Sequence, residues 1–217
     1  SIAYASLSFQ TVTENRILTP SVLGLDAVFI FLQTLMAFFL GSTVLTGFGK
    51  QFSFLGMVLL MVLFSVGSLG TLLKKLRGNI YLLLLVGIIL GTLFRSGSSF
   101  LQVIIDPNEF LILQGKLFAS FNNMDTEVLL MGSVLLMLSL ALAMTDLRDM
   151  DVLILGRDHA RDIGVSYEKL VYKTLFIVAI LISVSTALVG PITFLGILVI
   201  NVSRELLKTY KHRELFL

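Results

Sequence analysis

No cysteine occurs in this chain, which excludes disulfides, thiolate metal centres and cysteine nucleophiles. Histidine is nearly as scarce, with two residues, too few for a histidine metal cluster. No HExxH, GxSxG or GxxxxGK[ST] motif is present, so neither a catalytic set nor a nucleotide-binding loop is visible. Charge is thin as well: 14% of residues, with a formal net charge of +2 and no basic stripe suited to nucleic acid. What remains is apolar, 56% of 217 residues, with a mean hydropathy of +0.96. That is too greasy for a soluble domain of this size, so most of the chain is expected to lie in a bilayer.

A helix needs about 20 apolar residues to cross the hydrocarbon core. Residues 22–40, 53–73, 79–94, 128–145 and the long uncharged run 174–203 meet or approach that length. The last run is too long for one untilted span and is interrupted by Gly190 and Pro191, so it is read as two helices meeting at a sharp turn, the second short. The fold class is therefore all-α, a polytopic transmembrane helical bundle, treated as a single domain over 1–217. Ser1 to Thr13 lacks the basic start of a signal peptide and reads as the tail of a helix that begins upstream, while Leu217 follows a basic segment; the chain is read as incomplete at both ends.

Lysine and arginine near span ends collect on the cytoplasmic side. Lys74, Lys75 and Arg77 form one cluster, Arg148, Arg157, Arg161, Lys169 and Lys173 a second, and Arg204, Lys208, Lys211 and Arg213 a third. Counting spans from Val22 places all three on one face. The opposite connections, 41–52 and 96–127, carry only Lys50 and Lys116 and are assigned outside. The outer connection contains the turn signals "DPNEF" and "NNMD" and apolar stretches at 110–113 and 117–121, which predict a short amphipathic element on the outer surface.

The inner connection over 146–169 holds "LILGRDHARDIGVS", a knot of Arg157, Asp158, His159, Arg161 and Asp162 flanked by Gly156 and Gly164. Connections between packed helices usually take about 2 to 8 residues. This longer one predicts two short helical turns broken at the glycines, serving equally well as a solvated loop or as an element that docks on a soluble partner.

Three segments then carry a resemblance. Leu155-Gly156, Ala160-Arg161 and Ile163-Gly164-Val165 resemble the inner loop of the iron-siderophore and vitamin B12 class of ABC importer permeases, the FecCD type. In "VGPITFLGILVINVSR" the matching positions are Gly190, Pro191, Ile192, Phe194, Gly196 and Arg204, and in "FQTVTENRILTPSVLGLDA" they are Gln10, Asn15, Pro20 and Gly24. The sequence departs from the family at Arg16-Ile17-Leu18, where the family has Pro-Leu-Ala, and at Ile200-Asn201, where it has Pro-His. The resemblance implies a ten-helix fold of which this chain covers the end of the second helix to the eighth.

It also implies a transport subunit and not an enzyme: a multi-pass permease of the bacterial cytoplasmic (inner) membrane that takes up ferric siderophore, with cobalamin or haem as the alternative cargo. No cofactor is expected on this chain, because ATP and Mg would sit on a cytoplasmic ABC ATPase dimer. A second permease subunit, identical or a paralogue, an extracytoplasmic binding protein and membrane lipid are the other implied partners. Gly156 to Gly164 would be the ATPase-coupling loop, with Arg157, Asp158, Arg161 and Asp162 making polar contacts and Ala160 and His159 inside it. Lys50 and Lys116 are candidates for docking the binding protein. A secondary transporter would instead carry ionisable groups at mid-membrane, and an intramembrane enzyme would need facing polar groups within the spans.

Three further features read structurally. Gly87 and Gly91 form a GxxxG that permits close approach. Asp26, near one end of an apolar span, is either a substrate-pathway candidate or a helix-start acid after Pro20. Arg95 is expected to reach the outer interface from the end of its span.

Overall fold

The computed structural model describes residues 1–47, 49–75, 80–119, 125–209, 212 and 214, without the side chains of 40, 42–47, 50, 69, 70 and 72–74. Those residues form helices α1 (Ile2–Val12), α2 (Leu25–Gly47), α3 (Lys50–Lys75), α4 (Ile80–Ile104), α5 (Pro107–Leu117), α6 (Thr126–Met144), α7 (Leu147–Leu153), α8 (Arg157–Asp162), α9 (Tyr167–Val189) and α10 (Leu195–Leu207), with a 3-10 turn at Pro20–Leu23. α3, α4, α6 and α9 are long and apolar enough to cross a bilayer. The long run divides as expected, α9 ending at Gly190 and α10 beginning at Leu195, but α9 starts earlier than residue 174 and takes in the exposed Lys169 and Lys173.

α9 is the axis of the bundle: 72% of it is buried, against 17 to 28% of the other three spans. α1, α3 and α6 surround it, and α4 pairs with α2 at its side. Leu175, Val178, Leu181 and Val184 of α9 fill the core with Phe9 of α1, Phe54 of α3 and Ala143 of α6. The outward faces of α4 and α6, with Leu93, Phe100, Leu130 and Met137 exposed, present apolar side chains where lipid supplies the solvent.

Polar contacts at the helix ends fix their directions. Gln51 at the start of α3 donates to Glu127 at the start of α6 (2.7 Å), while Lys173 in the first turns of α9 pairs with Asp146 just after α6 (2.7 Å). α3 and α6 thus begin on one face, and α6 ends where α9 begins. The turn at Gly190 abuts Ala119, beyond α5, which puts the α9–α10 turn on the face of the outer connection. His212 meets Asp151, which places this residue at the face of the α7–α8 connection. The parity read from the basic clusters therefore agrees with the helix directions. Arg77, Lys211 and Arg213 lie outside the described residues.

The outer element is α5, and the turn signals prove to be helix caps. Asp106 accepts from the Asn108 amide (2.8 Å) with Pro107 in the first turn, and Asp125 caps α6 through the Glu127 amide (3.1 Å); such caps are worth about 1 kcal/mol each. Most of the "NNMD" stretch and part of 117–121 lie outside the described residues.

Two expectations are corrected. The first apolar segment, 22–40, does not run from the inner face: its 3-10 turn packs on Gly87 and Gly91, well inside α4, so α2 begins within the depth of the bundle. Arg95 is not at a span end, because α4 continues to Ile104; the Ser-Gly-Ser-Ser segment after Arg95 stays helical, with the Ser98 hydroxyl bonded to the Phe94 carbonyl (2.8 Å) and Gly97 against Phe31.

Candidate coupling site

The connection after α6 folds as two short helices because its apolar residues are spaced to anchor them. Met150 and Leu153 plug α7 into the core, and Ala160, fully buried, seats α8. Gly156 and Gly164 adopt φ of 95° and 94°, and a Cβ at either would meet open space. Backbone conformation, not crowding, is what calls for glycine at these breaks.

Of the charged knot, the two arginines lie back on the start of α9 while staying partly exposed. Both guanidinium groups lie over the Tyr167 ring, 5.3 Å from its centroid for Arg157 and 5.9 Å for Arg161. Both also pair with Glu168, Arg157 at 3.8 Å and Arg161 in direct contact. Asp158, His159 and Asp162 face solvent, as do the apolar Ile154, Leu155 and Ile163. The result is a projection whose surface mixes charges of both signs with apolar side chains, a composition suited to docking.

The three motif segments meet in the fold. Gln10 of α1, buried, accepts from Nη1 of Arg204 of α10 at 2.9 Å. Asn15 closes the loop after α1, its side chain accepting from the Ile17 amide (3.0 Å) and its amide donating to the Gln10 carbonyl (3.1 Å). Pro20 opens the 3-10 turn, and Gly24 ends it with φ 81° against the Gly91 backbone. Gly87 and Gly91 thus provide close approach as expected, with a turn and not a helix as the partner. Pro191 follows Gly190 (φ 97°) in the break between α9 and α10, and Gly196 lies against Ser6 and Ile2 of α1. Phe194 is 71% exposed and fills no core position.

Asp26 is buried in the first turn of α2 and accepts from the Thr193 hydroxyl at 3.0 Å. The carboxylate joins the starts of α2 and α10, the favourable end of a helix dipole for an anion, and is closed off from the surface. Lys116 is exposed in the last turn of α5; Lys50 begins α3, its side chain outside the description.

Sequence reading passed over His212, which lies in a basic segment and carried no local sign of burial. Its ring is fully buried, with Nδ1 2.7 Å from Asp151 Oδ1 of α7 and Nε2 2.9 Å from the Thr11 hydroxyl of α1. The His212 amide donates to the same Asp151 oxygen (2.8 Å). Burial pushes the imidazole below its ordinary value, opposed by Asp151. Nδ1 faces the carboxylate and donates to it, and Nε2 shares a hydrogen bond with the Thr11 hydroxyl, which also lies within reach of the Leu7 carbonyl.

The profile of the FecCD transport family matches residues 1–217. The chain is 50% identical over 214 residues to the petrobactin import system permease protein YclO of Bacillus subtilis, covering 99% of this chain and 68% of that protein. It is 41% identical to the petrobactin import system permease protein FatC of Bacillus anthracis, covering 98% of this chain and 60% of that protein. Among solved structures, a metal-chelate type ABC transporter in an inward-facing conformation superposes with a TM-score of 0.84 at 26% identity, over 99% of this chain and 66% of that one. The chain therefore spans 60 to 68% of the length of these relatives.

Proposed function

The chain belongs to the FecCD transport family, and on that premise we propose that it forms the core of a membrane-spanning permease subunit importing a ferric siderophore, petrobactin, under ATP. The observation that carries the reading is the 50% identity to a petrobactin permease across 99% of the chain. It is a multi-pass protein of the cytoplasmic membrane and a transport component; ATP and Mg belong to a separate cytoplasmic ATPase dimer. A second permease subunit completes the pathway, and an extracytoplasmic binding protein delivers the ferric complex.

The α7–α8 projection is the part that meets the ATPase. Arg157 and Arg161 act by holding the projection to the start of α9 through Tyr167 and Glu168, while Asp158, Asp162, Leu155 and Ile163 supply its contact surface. When nucleotide binding draws the ATPase subunits together, a projection fixed to α9 at one end and to the core through Met150 and Leu153 moves those helices with it. That is coupling by contacts that differ between two states.

The test is co-expression of the full-length gene product with its candidate ATPase, followed by uptake of radio-iron presented on petrobactin or in haem, and of radio-cobalt in cobalamin. ATP-dependent uptake of the petrobactin complex supports the proposal. Uptake of haem or cobalamin alone would replace the cargo, and transport without any ATPase would return the protein to the secondary transporters.

A further inference from the structure

His212 and its two partners lie outside the α8 projection and join three elements that sequence keeps far apart. Asp151 stands on α7, within the coupling connection; Thr11 is at the lower end of α1; His212 follows α10. α1 is in turn bound to α10 through Gln10 and Arg204. Two polar contacts on adjacent residues of α1 thus link α7 to α1 through His212 and Thr11, and α1 to α10 through Gln10 and Arg204. His212 is fully buried and is held by both ring nitrogens and by its own amide.

Resting on the permease reading above, we infer that His212 is a positioning residue for transport: it clasps α7 to the foot of α1, so that displacement of the coupling connection is passed to the α1–α10 pair. α7 has a second hold on the bundle through Met150, whose sulfur accepts from the Thr174 hydroxyl of α9 (3.4 Å). That hold reaches α1 only through apolar packing; the His212 clasp adds a direct polar link from α7 to α1. Thr11 makes the clasp adaptable. Its hydroxyl can donate to the imidazole or to the Leu7 carbonyl (3.0 Å), so the α1 leg survives either protonation state of the ring.

Three variants of the full-length gene product test this. His212→Ala removes both side-chain legs and leaves only the main-chain bond to Asp151, His212→Asn keeps a side-chain donor toward Asp151, and Thr11→Val removes only the α1 leg. Amide hydrogen exchange over 147–153 in the purified permease reads the clasp without the ATPase. Exchange is expected to rise about threefold or more in His212→Ala, to recover toward wild type in His212→Asn, and to stay at wild type in Thr11→Val. In vesicles with the ATPase, iron taken up per ATP hydrolysed is expected to fall by about threefold or more in His212→Ala and in Thr11→Val, with assembly unchanged. A Thr11→Val protein that transports at the wild-type ratio overturns the transmission role, and unchanged exchange in His212→Ala overturns the clasp. If the wild-type permease recruits no ATPase, the permease reading fails, while the exchange data still judge the clasp.

Discussion

Arg204 donates through Nη1 to Oε1 of Gln10 at 2.9 Å, across 194 positions of sequence. The two side chains close the lower half of an interface whose upper half is the contact of Gly196 with Ser6, so α1 and α10 run side by side in the same direction. Gln10→Leu removes this buried acceptor. Loss of a hydrogen bond to a charged donor is expected to cost about 1.5 to 3 kcal/mol, read as a lower midpoint in thermal unfolding of the detergent-solubilised protein; an unchanged midpoint would show that the pair is dispensable.

Gly196 faces α1 with no room for a side chain. A Cβ there would stand 2.8 Å from Ser6 Cβ and 3.1 Å from the Ile2 carbonyl oxygen. Gly196→Ala should therefore overpack the interface, at a cost of about 1 to 3 kcal/mol. Adding Ser6→Gly should return part of that loss, and the double variant's unfolding curve decides whether the clash is with that side chain or with the backbone.

The α7–α8 projection, under the coupling role proposed for it, separates its charges by role. Asp158→Lys with Asp162→Lys should weaken ATPase binding while leaving stability within about 0.5 kcal/mol, because both residues are exposed surface positions. Glu168→Lys should instead loosen the projection itself, exposing the 156–164 segment to limited proteolysis before any loss of the membrane core. Identical proteolysis patterns for the two sets would refute this division.

Asp26 accepts one hydrogen bond from Thr193 and is shut away from solvent. Asp26→Asn keeps an acceptor oxygen and should fold with modest loss. Asp26→Ala leaves the Thr193 hydroxyl short of its partner and should cost about 1 to 3 kcal/mol. Expression level and thermal midpoint of the two variants rank them, and an alanine variant as stable as the asparagine one would remove the hydrogen bond from the account.

Acid should weaken the clasp through the cost of charging a buried ring, even though both ring hydrogen bonds persist. Burial lowers the His212 value below 6.5 in the folded state, so the unfolded chain takes up the proton at higher pH than the folded one does. Stability is then constant above the unfolded value and falls as pH drops from about 6.5 toward the folded value, below which it levels off. The groups facing the ring are Asp151, Arg204 and the Thr11 hydroxyl, and the carboxylate keeps the fall shallow. Protection over 147–153, each exchange rate taken relative to its intrinsic rate at that pH, should fall between about pH 7.5 and about pH 5.5 in the wild type and not in His212→Asn.

How far the sequence alone reaches can be seen element by element. Apolar run length located the spans, because a bilayer demands about 20 helical residues whatever surrounds them. Basic clusters set the sidedness, and Gly156, Gly164 and Gly190 marked three breaks that the structure realises at positive φ. These are local properties, set by solvent and backbone sterics, and they need no knowledge of neighbours.

What tertiary structure alone decided is who meets whom. Arg157 and Arg161 acquire partners that the local sequence does not announce, the Tyr167 ring and the Glu168 carboxylate, once α8 settles on the start of α9. Gly87 and Gly91 look like a helix-pairing face until the turn before α2 settles on them. His212 looks solvated until Asp151 and Thr11 converge on it from 61 and 201 positions away. In each case the outcome depends on desolvation and hydrogen bonding between distant segments, whose energies do not exist until the chain has brought them together.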